Sequence, residues 1–194
     1  MTPALRERIP AEWEPAAPEP GWHKDTGLSD SLRQCRAITR SHAKSFYFSS
    51  FPLKGGRKAA AFAVYAFCRW VDDEIDENLG EASQADTEAV RGRMLGELDR
   101  LLAGESALPF CPAFAAAVRQ YRIPRVFLKD LIYGCCLDTE TTLIEDYPQL
   151  ERYCYYVASV VGLIMAKIFG LRSPEGVPRA VEMGLAMQLQ SLMS

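Results

Sequence analysis

Histidine is nearly absent: only His23 and His42 occur in 194 residues. That excludes HExxH zinc motifs and the paired ExxH motifs of carboxylate-bridged di-iron bundles. The six cysteines (Cys35, Cys68, Cys111, Cys135, Cys136 and Cys154) form no CxxC pair and sit mostly in apolar contexts. They read as reduced, buried small hydrophobes of a cytosolic protein, not as a zinc site. Strand signals are scarce, since β-branched residues do not alternate and no Asn-Gly or Asp-Gly hairpin occurs. No apolar run approaches the ~20 residues of a membrane-spanning helix. The longest clean runs, Ala59–Cys68 and Val157–Ala166, each cover about half that length. Met1–Pro20 is rich in Pro, Glu and Ala and has no apolar signal-peptide core. Surplus positive charge is also missing. A net charge of −3 and a pI near 5.5 argue against a general nucleic-acid binder. Any handling of phosphates must then fall to local Arg and Lys or to bound metal.

What is present is helix. A hydrophobic content of 48% is that of a globular protein, and 194 residues suffice for one substantial core. Residues 1–27 read as a disordered lead-in and 28–194 as one all-α domain. Ser29 or Asp30 is expected to cap a helix through Ala43. Phe46 to Pro52 reads as an aromatic connector closed by Gly55 and Gly56. The next helix, from about Arg57 to Asn78, is apolar nearly all round as far as Arg69, which predicts a central position in a bundle. A polar helix from about Asp86 to Leu102 carries Val90, Met94, Leu98 and Leu101 on one face. Pro112 and Pro124 suit first-turn positions of two more helices, the second with Phe127, Leu131 and Cys135 on one stripe. Pro148 opens a long helix to Phe169. Ser173, Pro174 and Glu175 resemble the start of a last helix reaching Met193.

The segment most suggestive of chemistry ends the central helix. Asp72 and Asp76 are i and i+4, so they stack on one face and repel each other. A hard divalent cation between them, most simply Mg²⁺ with Mn²⁺ as the alternative, would relieve that. Asp73 points about 100° away and is not a ligand on the same face. Arg69, one turn earlier, could grip a phosphate or clamp a carboxylate. The alternative is a solvated acidic helix end, although acids there oppose the macrodipole.

Two further clusters stand out. Ser41, His42, Lys44, Ser45 and Tyr47 place an imidazole, an ammonium and hydroxyls at a helix end. They could bind phosphate oxygens, or simply be an exposed terminus. In Tyr153 to Met165, the small residues Ala158, Ser159 and Gly162 thin one side of a greasy helix. Gly162 costs roughly 1 kcal/mol relative to Ala in a helix interior, which implies close packing or a cavity.

Together the clusters resemble the squalene and phytoene synthases, the head-to-head trans-prenyltransferases. The resemblance rests on His42 to Tyr47, Ala63 to Arg69 with Asp72 to Asp76, Tyr153 to Tyr155 with Val157, Ala158, Val161 and Gly162, and Gly184 to Leu189. It runs in order from about Leu28 to Leu189. It implies an all-α isoprenoid-synthase bundle around a central cavity. Asp72 and Asp76 match the first aspartate-rich motif, which holds a diphosphate through Mg²⁺, and Arg69 matches a diphosphate contact. His42, Lys44 and Ser45 match the segment on the other side of the diphosphate. Tyr65, Tyr153 and Gln188 match positions near the reacting carbons, and Phe46, Val157, Ala158 and Val161 match the wall of the prenyl tunnel. The implied reaction joins two geranylgeranyl diphosphates, through a cyclopropylcarbinyl diphosphate, to phytoene in carotenoid biosynthesis. Squalene or dehydrosqualene synthesis from farnesyl diphosphate is the enzymatic alternative, and a helical interaction subunit derived from the family is the non-enzymatic one. Prenyl diphosphates are the implied partners, in the cytoplasm or peripherally at a membrane.

The sequence departs from the family after Gln188. A second aspartate-rich motif belongs shortly beyond that position, with a threonine-asparagine pair near Gln190 and Ser191, but the chain reads Gln190-Ser191-Leu192-Met193-Ser194. The C-terminal helices of the bundle are thus expected to be missing, through a premature end, a fragment, or a splice or frameshift tail. One carboxylate pair holds Mg²⁺ weakly, because Mg²⁺ dehydrates reluctantly. The 194-residue chain is therefore expected to form no measurable phytoene from geranylgeranyl diphosphate and Mg²⁺, and clear product in that assay refutes the expectation.

Overall fold

The structure, a computed structural model, describes residues 7–9, 13, 21–78, 84–139, 144–171 and 175–192. Among them all regular structure is helical. Two 3₁₀ turns, Trp22–Lys24 and Thr26–Leu28, lead into α1 (Ser29–His42). Neither Ser29 nor Asp30 caps it. Leu28 holds that position without a side-chain bond, because Asp25 one turn earlier already accepts from the Gly27 amide at 2.9 Å and the turn runs on into the helix. Ser29 and Asp30 belong to the first turn.

The aromatic stretch expected as a connector contains a helix, α2 (Lys44–Ser49). Its side chains fold it down: Tyr47 stacks on Phe62 at 5.6 Å and Phe46 on Tyr65 at 5.7 Å. Both partners lie on α3 (Gly55–Asn78), whose residues Ala60 to Val64, Ala66, Phe67, Val71 and Ile75 are all buried. α3 packs along α1 and against α5 (Cys111–Gln120), α6 (Arg125–Thr139) and the helix that ends at Phe169. Phe67 stacks on Phe114 of α5 at 4.7 Å. The polar helix α4 (Gln84–Ala103) buries Val90, Met94, Leu98 and Leu101, the predicted stripe. Pro112 sits in the first turn of α5. Pro124 precedes α6, and its carbonyl accepts from the Phe127 amide at 3.0 Å.

The long helix from Pro148 to Phe169 is interrupted. α7 (Tyr147–Cys154), capped by Asp146 through the Gln149 amide at 2.8 Å, passes into a π turn at Tyr155–Ser159 and then into α8 (Val160–Phe169). Together they make 23 residues long and apolar enough to cross a membrane. This is a core rod of the bundle: Tyr155, Val160, Leu163, Ile164 and Ile168 are fully enclosed. The last helix, α9 (Gly176–Leu192), packs on the π turn, α7 and α8. Ser173 and Pro174, the expected start signal, lie outside the described residues.

Close packing occurs elsewhere than at Gly162, where an added Cβ would find its nearest neighbour, the Ala180 carbonyl, at an ordinary 3.6 Å. The tight contacts are at Gly134 of α6 and Gly184 of α9, which grip the π turn from two sides. A Cβ on Gly134 would lie 2.4 Å from the Tyr156 carbonyl oxygen, and one on Gly184 would lie 2.6 Å from the Ser159 Cα. The Ser159 hydroxyl donates to the Val181 carbonyl at 2.9 Å.

Within the 1–27 stretch, described residues touch the domain. Arg8 donates to buried Asp130 at 2.5 Å, and Trp13 lies 6.4 Å from Phe127, ring to ring. The Gly contacts set a sharp contrast. Gly134→Ala should destabilise the chain by about 1–3 kcal/mol through overpacking. Gly96→Ala, where a Cβ meets open space, should stabilise it by about 1 kcal/mol. Urea denaturation of both variants measures the difference.

Candidate functional site

The carboxylate motif is held by a hydrophobic lever. Val71 and Ile75 are buried, so the last turns of α3 are anchored while Asp72 and Asp76, each one position on and about 100° round the helix, reach solvent. Arg69 donates from Nη2 to Asp73, one turn on. Asp73 is thereby occupied by the ion pair. The Arg69 Nε is buried and has no hydrogen-bond partner among the described residues.

Asp72 rests on a floor that sequence reasoning did not supply. The Cys135 thiol of α6 hydrogen-bonds to it, and Cys68 lies close enough to be raised to a pKa of about 12 by burial and then by the Asp72 charge. The inner side of Asp72 is dehydrated, which pushes its carboxyl above the usual value; Asp76 and Asp73 push the same way, and Arg69 opposes them. The Tyr65 hydroxyl is also raised, first by burial, with Asp72 adding to it and Arg69 opposing. Tyr65, Arg69 and Asp72 thus share one electrostatic neighbourhood, and Phe46 stacks on Tyr65 at its edge.

His42 closes α1. Its Nδ1 lies 2.7 Å from the Ser41 hydroxyl and 3.1 Å from the Ile38 carbonyl. The Ser41 hydroxyl donates to backbone carbonyls of its own helix. The ring proton therefore belongs on Nδ1, leaving Nε2 as the nitrogen that can bind a ligand. Lys44 and Ser45 follow, exposed in the first turn of α2.

The remaining predicted residues lie on the last helices. Tyr153 on α7, Val157 and Ala158 in the π turn, Val161 on α8 and Gln188 on α9 are each half-buried. They stand out because their neighbours Cys154, Tyr155, Tyr156, Ser159 and Val160 are buried. A π turn spreads residues over a wider arc than an α turn, and such turns recur at functional sites. The structure brings Phe46 onto Tyr65 and gathers Tyr65, Arg69, Asp72 and Asp76; His42, Lys44 and Ser45 share the chain segment that leads to Phe46, and Gln188 lies on the helix that packs on the π turn carrying Val157 and Ala158. α3 packs directly on α6 and α8. A solvent-open groove of about 820 Å³ lies elsewhere, between α3 and α4, lined by Trp70, Glu74, Arg93, Arg100 and Leu108 among others. None of the predicted site residues lines it, so it is not the expected prenyl tunnel.

Asp72 and Asp76 fit a divalent cation as a two-carboxylate partner that a substrate phosphate would complete, the usual way Mg²⁺ is held beside phosphates. Among the described residues no group of three or more His, Cys, Asp or Glu forms a self-sufficient metal cage.

The squalene/phytoene synthase family model matches residues 39–193. The phytoene synthase of Rhodobacter capsulatus is 32% identical over 162 residues, 83% of this chain and 47% of that protein. The 15-cis-phytoene synthase of Paracoccus sp. is 33% identical over 168 residues, 83% of this chain and 54% of that protein. The crystal structure of a dehydrosqualene synthase in complex with ligand superposes with a TM-score of 0.72 at 28% identity, covering 85% of this chain and 56% of that one. The squalene synthase HpnC from Alicyclobacillus acidocaldarius gives the same score and identity over 84% of this chain and 60% of its own. The chain spans about half the length of the curated relatives it matches.

The raised Asp72 carboxyl sets a pH dependence. Its folded-state pKa lies above the unfolded value, so the fold binds more protons there and loses stability as pH rises through the carboxylate range. Asp72→Asn should therefore stabilise the metal-free chain at neutral pH by about 0.2–0.5 kcal/mol, the scale of a like-charge i,i+4 pair. The gain should vanish below the carboxylate range, and thermal melts across pH measure it.

Proposed function

The chain belongs to the squalene/phytoene synthase family, and on that premise we propose that it carries the first-motif half of a site joining two allylic prenyl diphosphates head to head. The observation that supports this best is the common neighbourhood of Tyr65, Arg69 and Asp72 beside the His42–Phe46 segment. Geranylgeranyl diphosphate is the proposed substrate and phytoene the product, because the curated relatives are phytoene synthases. The structural neighbours, a dehydrosqualene and a squalene synthase, favour farnesyl diphosphate as the second reading.

In this reading the reaction opens with loss of pyrophosphate from the first allylic diphosphate. Mg²⁺ held by Asp72 and Asp76 would neutralise charge on the departing group. Arg69, its guanidinium oriented by Asp73, would meet the diphosphate with the donors that the ion pair leaves over. Lys44, Ser45 and His42 Nε2 would bind further phosphate oxygens. The allylic cation is attacked by the double bond of the second substrate, and proton loss closes the cyclopropylcarbinyl diphosphate. A second departure of pyrophosphate, rearrangement and a final proton loss give the product. Phe46 and Tyr65 present ring faces suited to a nearby cation, and Tyr153 and Gln188 stand near the reacting carbons. Val157, Ala158 and Val161 would line the tails and exclude water, which would otherwise trap the cation.

The reading predicts coupled binding. Mg²⁺ plus pyrophosphate should stabilise the chain by about 1.4 kcal/mol when the free ligand is at tenfold its Kd, with little effect from either alone. Asp72→Ala combined with Asp76→Ala should abolish the coupling. Binding of unreactive geranylgeranyl and farnesyl thiolodiphosphates discriminates the two substrates: tighter geranylgeranyl binding supports the first reading and tighter farnesyl binding the second.

A further inference from the structure

Among the described residues three charged side chains are buried: Asp130, Glu151 and Lys167. Two of them meet residues that precede the first helix. Arg8 donates from Nη1 to the Asp130 carboxylate at 2.5 Å, and the Lys167 ammonium lies 4.4 Å from the centre of the Trp13 ring. A buried carboxylate is costly unless a cation or hydrogen-bond donors meet it. Burial pushes the Asp130 carboxyl above its usual value, and Arg8 is first among the groups that oppose this.

The contacts of Arg8 and Trp13 run along one seam. Asp130 and Phe127 lie one turn apart on α6; Arg8 meets the first, and the Trp13 ring lies 6.4 Å from the ring of the second. Each residue also reaches the rod beside α6. The Arg8 guanidinium lies 5.2 Å from the centre of the Tyr156 ring in the π turn, and Trp13 meets Lys167 on α8. Ile9 packs on the core next to them. Arg8 and Trp13 therefore each bridge α6 and the rod. The second oxygen of Asp130 accepts from the Tyr155 hydroxyl at 3.2 Å. Arg8 thus acts on both tyrosines that open the π turn, Tyr156 directly and Tyr155 through Asp130.

We propose that Arg8 and Trp13 are positioning residues: they strap the seam between α6 and the rod and so hold the π turn against Gly134. The turn rests on a hydrogen bond from the Val160 amide to the Tyr155 carbonyl, five residues back, a winding that is rare in helices. Gly134 lets the two backbones approach, since no Cβ fits there. The strap keeps them together from outside, through two buried charges that need it. Val157 and Ala158 sit in the turn so held. That the strap thereby shapes a wall for prenyl tails rests on the function proposed above; the strap itself does not.

Amide hydrogen exchange on the 194-residue chain tests this. Arg8→Ala and Trp13→Ala should each speed exchange at Val160 and across Tyr155–Ser159 about tenfold. Helix α5, which packs on α1, α3 and α4, should keep its rates. Arg8→Lys keeps a cation beside Asp130 and should recover most of the protection. Asp130→Asn removes the buried charge, and on that background Arg8→Ala should add no more than about twofold. Should Arg8→Ala prevent folding, Trp13→Ala decides, since it leaves Asp130 paired. Unchanged exchange in the π turn, equal acceleration in α5, or a full effect of Arg8→Ala on the Asp130→Asn background overturns the proposal. Binding of unreactive geranylgeranyl thiolodiphosphate separates the strap from the reaction: faster exchange with unaltered binding upholds the strap and counts against Val157 and Ala158 as a tail wall.

Discussion

The candidate site depends on how closely α6 approaches the π turn. At Gly134 the two backbones are too close to admit a methyl group. The residues on either side use that proximity. The Tyr133 ring packs on the Tyr156 ring at 4.7 Å, and the Cys135 thiol reaches Asp72 on α3. Three consecutive residues of α6 therefore set the distance between the carboxylate motif and the wall carrying Val157 and Ala158. A side chain at Gly134 would spread both contacts at once. Gly184 supplies the same constraint from α9, where the Ser159 hydroxyl donates to the Val181 carbonyl and stitches the turn to that helix. The π turn is held from two sides, as its unusual winding requires.

The second constraint is electrostatic. The end of α3 gathers Asp72, Asp73, Glu74, Asp76 and Glu77 where the helix dipole is already negative. Burial of Val71 and Ile75 keeps this turn helical against the repulsion. Arg69 pairs with Asp73 and opposes the upward push on Asp72, to which Asp76 still adds. Burial of apolar surface along α3 thus opposes a local repulsion that a bound cation would remove. Local unfavourability sustained by the rest of the fold is characteristic of functional sites.

Much of this was legible in the sequence, and the rest was hidden for identifiable reasons. The all-round apolar surface of α3, the Val90 to Leu101 stripe and the i,i+4 carboxylates follow from helical period alone. The π turn does not, because one extra residue per turn leaves composition unchanged and Tyr155 to Ser159 look like ordinary helix. Gly162 stands out in sequence as a helix interruption, but the tight backbone approaches are decided across space, by Tyr156 opposite Gly134 and Ser159 opposite Gly184. Cys135 looks like a small hydrophobe in sequence, since nothing in its stripe announces a carboxylate three helices away. α2 looks like a connector because six residues carry too little periodicity, and its ring contacts with Phe62 and Tyr65 fold it.

That short helix performs two tasks by splitting its faces. Phe46 and Tyr47 turn inward onto α3, while Phe48 and the following Phe51 turn outward among cations. The order of charges along α1 to α3 follows the same split: no acidic residue stands between Asp30 and Asp72, and five stand from Asp72 to Glu77. Arg36, Arg40 and Lys58 act on the Tyr47 hydroxyl, while Arg69, one turn before the acidic run, acts on Asp72 and Asp73. Cation and carboxylate are thus set on successive turns of one helix, which keeps the basic segment from neutralising the pair Asp72 and Asp76.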